Sequence, residues 1–80
     1  MKSVQIFLQT ASQVKKFVTI VQDYPFDINL RSDRYVVDAK SILGIFSLDL
    51  SKPINVEIHS LSDQQNECDN LIEQINEFAI

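Results

Sequence analysis

The sequence has little of what cross-links a small protein. Its single cysteine, Cys68, excludes a disulfide within the chain, and no His/Cys cluster has the spacing of zinc ligands. Tryptophan is absent, and one glycine and two prolines provide neither a flexible linker nor a low-complexity stretch. Packing alone must therefore hold the fold, and the lack of paired cysteines predicts a cytoplasmic protein.

Basic charge is also scarce. Eleven acidic and seven basic side chains give a net charge of −4, which argues against nucleic acid as the main partner. No apolar run approaches the roughly 18 residues of a membrane span, and the first residues alternate in polarity, unlike a signal peptide. We therefore expect no membrane partner. The acids after residue 60 have no basic neighbour, so we expect any anion site among the first 60 residues; these acids are Asp63, Glu67, Asp69, Glu73 and Glu77.

Hydrophobic residues make up 45% of the 80 residues, which predicts one small globular domain over residues 1–80. Apolar residues alternate with polar ones at 4–8, 26–30, 35–39 and 54–58, which indicates strands. Helical spacing at 11–21, a short apolar stretch at 41–48 and a stripe after residue 62 indicate helices. The order β-α-β-β-α-β-α predicts an α/β protein of the α+β two-layer type, an open-faced sandwich with helices on one face of an antiparallel sheet.

Local signals mark where the elements begin and turn. Thr10 with Gln13 predicts a capping box at the first helix, and Ser62 with Gln65 predicts a second one at the last helix. Residues 31–34 are short enough for a tight hairpin, although they lack the usual glycine. The last helix has an apolar stripe that we expect to face the core: Cys68, Leu71, Ile72, Ile75, Phe78 and Ala79.

The stretch from Asp38 to Leu48 reads DAKSILGIFSL. It resembles the HPr family of bacterial sugar phosphotransferase systems, which carries a Lys-Ser-Ile-Met-Gly-type segment followed by an apolar pair and Ser-Leu. The resemblance extends back through residues 26–30, FDINL, and the order of elements agrees over the whole chain. It implies an HPr-like fold, with a four-stranded antiparallel sheet covered on one face by three helices.

The family's phosphorylated histidine lies in a Gly-x-His-Ala-Arg-Pro-Ala motif at the start of the first helix. Counted back without gaps, this motif falls on residues 8–14, LQTASQV, where only Ala11 matches. Thr10 takes the place of the histidine, Ser12 that of the arginine and Gln13 that of the proline. A threonine phosphate is a stable ester and a poor relay. The resemblance thus predicts an HPr-like protein without histidine phosphocarrier activity, and not an enzyme.

The second helix carries the other candidate residues. Ser41 matches the serine that Gram-positive members expose to a regulatory kinase, although a helix N-cap alone also explains a serine there. By the same match, Ile42, Leu43 and Phe46 face outward as a docking surface for partners, while Ile45 and Leu48 face the core. Without the resemblance, a short apolar helix is more typical of a core than of an interface; these two interpretations stay open.

The remaining polar and reactive residues favour ordinary structural roles. Lys15 and Lys16 lie on the outer face of the first helix, where a solvated surface is favoured over docking to an acidic partner. His59, the only histidine, lies on the outward phase of a strand, and Cys68 lies on a core stripe as an inert thiol. No residue pattern indicates a cofactor or a metal.

The sequence is compatible with three functions. The favoured one is a regulatory or docking module whose partners are phosphotransferase or transcriptional-regulation proteins and a serine kinase. The second is a phosphocarrier that accepts phosphate on a non-standard residue, for which Thr10 and His59 are the only candidates. The third is a structural domain of the same fold that forms a weak homo-oligomer.

Overall fold

The four strands form one antiparallel sheet in the order β1-β4-β2-β3, in a computed structural model that describes residues 1–80. The strands are β1 (Lys2–Ile6), β2 (Asp27–Ser32), β3 (Tyr35–Asp38) and β4 (Ile54–His59). The helices are α1 (Ala11–Val21), α2 (Ile42–Phe46) and α3 (Gln65–Ile75), with 3-10 turns at Ser62–Gln64 and Asn76–Phe78. The predicted element order and two-layer fold are confirmed. None of the helices has the length and apolarity that crossing a bilayer requires.

One hydrophobic core lies between the helices and one face of the sheet. Alternate residues of β2 and β4 enter it, among them Ile28, Leu30 and Val56, because successive strand side chains point to opposite faces. Phe17 of α1 is fully buried and meets Phe78 edge-on, with ring centroids 6.0 Å apart. Every helix therefore contributes to the core from the same side, which leaves the opposite face of the sheet open.

The β2–β3 hairpin closes through two residues without a glycine. Ser32 pairs with Tyr35 across the turn, and Asp33 adopts the left-handed conformation with φ of 54°. Aspartate tolerates this region better than most residues, since its short polar side chain can bond to nearby backbone. The tight hairpin expected from residues 31–34 is thus formed with Asp33 in the position that glycine usually takes.

Two expectations about the ends of elements were wrong. Ser62 does not cap α3; the chain enters a 3-10 turn first, and the Leu61 N–H donates to Gln64 Oε1 at 2.8 Å. Ala79 is exposed, because the helical stripe ends in the turn at Phe78. Tyr35 is 67% exposed despite its alternation with Val37, because β3 is an edge strand that the helices cover incompletely.

The open face of the sheet carries an ion pair that links two strands. Arg31 Nε donates to Glu57 Oε2 at 2.8 Å, and Glu57 is largely screened from solvent. This hydrogen bond holds the pKa of the Glu57 carboxyl below its ordinary value of 4.5. A carboxyl whose pKa is lowered by folding stabilises the fold above its unfolded pKa, and this contribution disappears as the pH falls through the folded pKa.

We therefore compare the wild-type protein with Glu57→Gln below pH 4.5, the ordinary pKa of the Glu57 carboxyl. In this range we expect the melting temperature of the wild-type protein to fall more steeply than that of the variant. Thermal unfolding of both proteins between about pH 7 and pH 3 measures the difference, which isolates Glu57 from the other acids. Parallel curves for the two proteins would contradict a stabilising role for the Arg31–Glu57 pair.

Candidate functional site

The N-terminus of α1 is closed by its own side chains. Thr10 is extended, and its Oγ1 accepts the Gln13 N–H at 3.1 Å. In return, Gln13 Oε1 accepts the N–H groups of Thr10 at 3.2 Å and of Gln9 at 2.6 Å. The predicted capping box is confirmed, and one glutamine oxygen serves two backbone donors.

The start of α1 offers only part of what a bound anion would need. A phosphoryl group at a helix N-terminus is held by free backbone N–H groups and balanced by nearby positive charge. Here Gln13 Oε1 accepts the N–H groups of Gln9 and Thr10, which precede the helix, and residues 3–14 contain no lysine or arginine. The N–H groups of Ala11 and Ser12 donate to no acceptor within the chain, so the site keeps two free donors but has no cation in its own segment to balance a phosphoryl group.

An open depression lies beside this helix start. Its volume is about 410 Å³, and Phe7, Gln9, Leu50 and Ser51 line it. None of these side chains is a general acid, a general base or a metal ligand at neutral pH. The depression thus brings the β1–α1 connection next to the loop after α2 without adding a reactive group.

Ser41 is the N-cap of α2 and is half-buried. Its Oγ accepts the Gly44 N–H at 3.2 Å, so the hydroxyl proton is not used by the cap. The preceding Lys40 is fixed from another part of the chain, since its Nζ donates to the carbonyl oxygens of Tyr24 at 2.7 Å and Phe26 at 3.2 Å. The segment before α2 is thereby tied to the loop after α1.

The apolar residues of α2 divide between core and surface. Ile45 and Leu48 are buried as expected, whereas Leu43 is 80% exposed and Phe46 is 44% exposed. Ile42 departs from the expectation: it is half-buried and packs against the core, because α2 lies close against the sheet at its start. The outward surface of α2 therefore consists of Leu43 and Phe46.

Gly44 explains how α2 comes so close to the sheet. A Cβ at this position would lie 3.3 Å from both the Ser41 Oγ and the Val37 Cβ. Such contacts are tighter than those of ordinary packing, so the missing side chain lets α2 approach β3 while Ser41 keeps its capping bond.

The other candidate residues lie away from these two helix starts. His59 is exposed at the far end of β4, about 17 Å along the strand from Ile54, which pairs with Ile6 before α1. Its Nε2 lies 3.4 Å from Asn29 Nδ2 on the open sheet face. Lys15 and Lys16 are exposed as expected, and Lys16 pairs with Glu77 at 3.0 Å. Cys68 is buried as expected, and no three His, Cys, Asp or Glu side chains cluster as a metal site.

Comparison with known proteins agrees with the fold. A family model described as "PTS HPr component phosphorylation site" matches residues 8–78. The chain belongs to the HPr family. The phosphocarrier protein HPr of Pseudomonas aeruginosa is 34% identical over 68 residues, which cover 82% of this chain and 76% of the relative.

Solved HPr structures share the whole architecture. HPr-C-His from Thermoanaerobacter tengcongensis superposes with a TM-score of 0.76 at 25% identity, over 96% of this chain and 92% of that chain. HPr from Bacillus anthracis gives a TM-score of 0.65 at 30% identity, over 88% of each chain. The Bacillus subtilis catabolite repression containing protein Crh, described as a swapped dimer, gives a TM-score of 0.65 at 25% identity. The match covers 96% of this chain and 88% of that chain.

Two features of the site were missed from the sequence. The bonds from Lys40 to the carbonyls of Tyr24 and Phe26 join segments 14 and 16 residues apart, and no local pattern signals such a pairing. The bond from the Gln9 N–H to Gln13 Oε1 was also missed. The capping-box pattern predicted only the bond from the Thr10 N–H to the same oxygen.

Proposed function

We propose that this HPr-family chain has lost histidine phosphocarrier activity and acts in the cytoplasm as a regulatory or docking module, not as an enzyme. The observation that carries the proposal is the capping box at α1, formed by Thr10, the residue that an ungapped count puts in the place of the family's histidine. Its test is phosphorylation by enzyme I and phosphoenolpyruvate, in which we expect no acid-labile label. The partners we propose are other phosphotransferase or transcriptional-regulation proteins.

Neither alternative acceptor has supporting groups. Thr10 Oγ1 is engaged by the Gln13 N–H, and no base lies beside it to remove its proton. His59 lies at the other end of β4 on the open sheet face, with Asn29 as its hydrogen-bonding neighbour. A carrier with a non-standard acceptor is therefore the less supported function.

The exposed side chains of Leu43 and Phe46 support the docking half of the proposal. Large apolar side chains grouped on a surface usually mark a site where a partner binds, because water solvates them poorly. Leu43 is the sharper probe, since 80% of it is exposed and its replacement leaves the core intact, whereas Phe46 is partly packed.

We expect Leu43→Asp to abolish partner binding with a stability loss within about 0.5 kcal/mol, as for other surface substitutions. The measurement compares the proteins that wild type, Leu43→Asp and the control Lys15→Glu retain from cells of the source organism. A partner kept by the control and lost by Leu43→Asp supports docking through α2. A partner retained by all three baits would place docking elsewhere, and a large drop in melting temperature would show that Leu43 is structural.

We further propose Ser41 as the residue that carries regulatory phosphate. A phosphoryl group on its Oγ would add about two negative charges beside Leu43, at the edge of the docking surface. Its oxygens could accept the Gly44 N–H in place of the hydroxyl oxygen. Partner choice would then change by charge without unfolding the domain.

Incubation with ATP and an HPr-family serine kinase should label Ser41 and no other residue, as mapped by mass spectrometry. Ser41→Ala is the matched loss-of-site variant, and a family member that the kinase does modify serves as the positive control. Label on a different residue, or none while the positive control is modified, would remove the regulatory site from the proposal.

A further inference from the structure

The two edge strands of the sheet, β1 and β3, differ in how far other segments of the chain cover their backbone. Along β1 the C-terminal segment adds backbone bonds: the Phe7 N–H donates to the Phe78 carbonyl at 2.8 Å, and the Ile80 N–H donates to the Gln5 carbonyl at 3.3 Å. Beside β3 there is no further strand. The edge of β3 lacks two of the usual protections, since residues 35–38 include neither a lysine nor a proline. Val36 and Tyr35 on it are 45% and 67% exposed.

The direction of the free backbone groups follows from the hairpin. The Ala39 N–H donates to the Ile28 carbonyl at 2.9 Å, and Tyr35 flanks the two-residue turn. Odd-numbered residues of this segment thus bond toward β2, and the backbone groups alternate along a strand. The N–H groups of Val36 and Asp38 consequently point away from the sheet, while the Asp38 carbonyl also accepts the Ser41 N–H at 3.0 Å.

The side chains on this edge are complementary to themselves. Residues 34–38 read RYVVD, with a positive charge at one end, a negative charge at the other and apolar residues between. Neither Arg34 nor Asp38 forms a salt bridge within the chain. If two copies of this edge run antiparallel with Val36 opposite Val36, each Arg34 faces the other copy's Asp38.

We propose that the outer edge of β3 pairs with the same edge of a second copy of this chain, antiparallel and centred on Val36. Hydrogen bonding requires Val36 and Asp38, whose N–H groups point outward, to lie opposite even-numbered residues of the other copy. Of the registers that satisfy this requirement, the one centred on Val36 joins both pairs of opposite charges. The contact is isologous, so it closes at two copies. Five residues a side are far fewer than the roughly 20–30 of a stable interface, so the dimer is weak.

Sedimentation velocity of the wild-type chain at increasing concentration, up to about 1 mM, tests for this weak dimer. Arg34→Glu places two acids opposite each other, and Asp38→Lys places two bases opposite each other. Each variant alone should dimerise roughly tenfold more weakly than wild type. Lys15→Glu, which changes the net charge as Arg34→Glu does at an exposed site on α1, should dimerise as wild type.

Sedimentation of an equal mixture of Arg34→Glu and Asp38→Lys is the decisive experiment. The glutamate introduced at position 34 of one variant then faces the lysine introduced at position 38 of the other, and the unchanged Asp38 faces the unchanged Arg34. The mixture should therefore associate about as strongly as wild type, although each variant alone dimerises roughly tenfold more weakly. Because Asp38 Oδ1 also accepts the Lys40 N–H, Val36→Lys on the open face is a second disrupting variant that leaves this bond intact. A wild-type chain that stays monomeric, an Arg34→Glu chain that dimerises as wild type, or a folded mixture that fails to associate would overturn the proposal.

Discussion

Incubated with enzyme I and phosphoenolpyruvate, this protein is expected to take up no acid-labile phosphate, while HPr of Pseudomonas aeruginosa is labelled in parallel. Thr10 cannot form the labile phosphorus–nitrogen bond through which the group moves onward. The segment that begins α1, residues 3–14, also contains no arginine or lysine to balance the charge of a phosphoryl group. Stoichiometric label on any residue would defeat the proposed loss of carrier activity.

Restoring the histidine alone should restore little transfer. Thr10→His removes the capping oxygen, at a cost of about 1 kcal/mol, and leaves Ser12 and Gln13 in the places of the family's arginine and proline. The triple variant Thr10→His, Ser12→Arg, Gln13→Pro also supplies the arginine and the proline of the family motif, and proline is tolerated in the first helical turn. We expect measurable acid-labile label in the triple variant only. Equal labelling of the single and triple variants would show that Gln13 and the missing arginine are not obstacles.

Phe17→Ala should be the most destabilising of the substitutions considered. Phe17 is fully buried and packs edge-on against Phe78, so its loss opens a cavity where α1 meets the C-terminal turn. Removal of such a side chain costs about 3–5 kcal/mol. Domains of this size have a free energy of unfolding of about 0.05–0.15 kcal/mol per residue, so the loss is a large part of the total.

Phe46→Ala is the matched control, because it removes the same atoms from a side chain that is 44% exposed. We expect a loss of about 1 kcal/mol there, in proportion to the smaller buried area. Urea denaturation of both variants gives the two free energies of unfolding directly. Similar losses for Phe17→Ala and Phe46→Ala would mean that the packing assigned to one of them is wrong.

Much of the fold was predictable from the sequence because it depends on local periodicity. Alternation at Ile28, Leu30 and Val56 reflects the two faces of a strand, and the capping box of Thr10 and Gln13 lies within one helical turn. The similarity of residues 38–48 to HPr proteins then indicated the family, which the match over residues 8–78 confirms. The wrong prediction of a cap at Ser62 also has a local cause. A 3-10 turn and an α-helix share their start signals, and here the 3-10 turn forms before α3 begins.

The exposure of individual side chains on α2 and β3 was decided by the tertiary structure. Ile42 and Leu43 are adjacent and chemically alike, yet one packs against the core and the other is exposed, since this depends on how closely Gly44 lets α2 approach Val37. Which backbone groups of β3 point outward depends likewise on the register of its hairpin with β2. The sequence by itself thus determined the element order, the family and the absence of the histidine motif. Only the packing of one element on another determined which surfaces remain free to bind, because a side chain's exposure depends on residues distant in sequence.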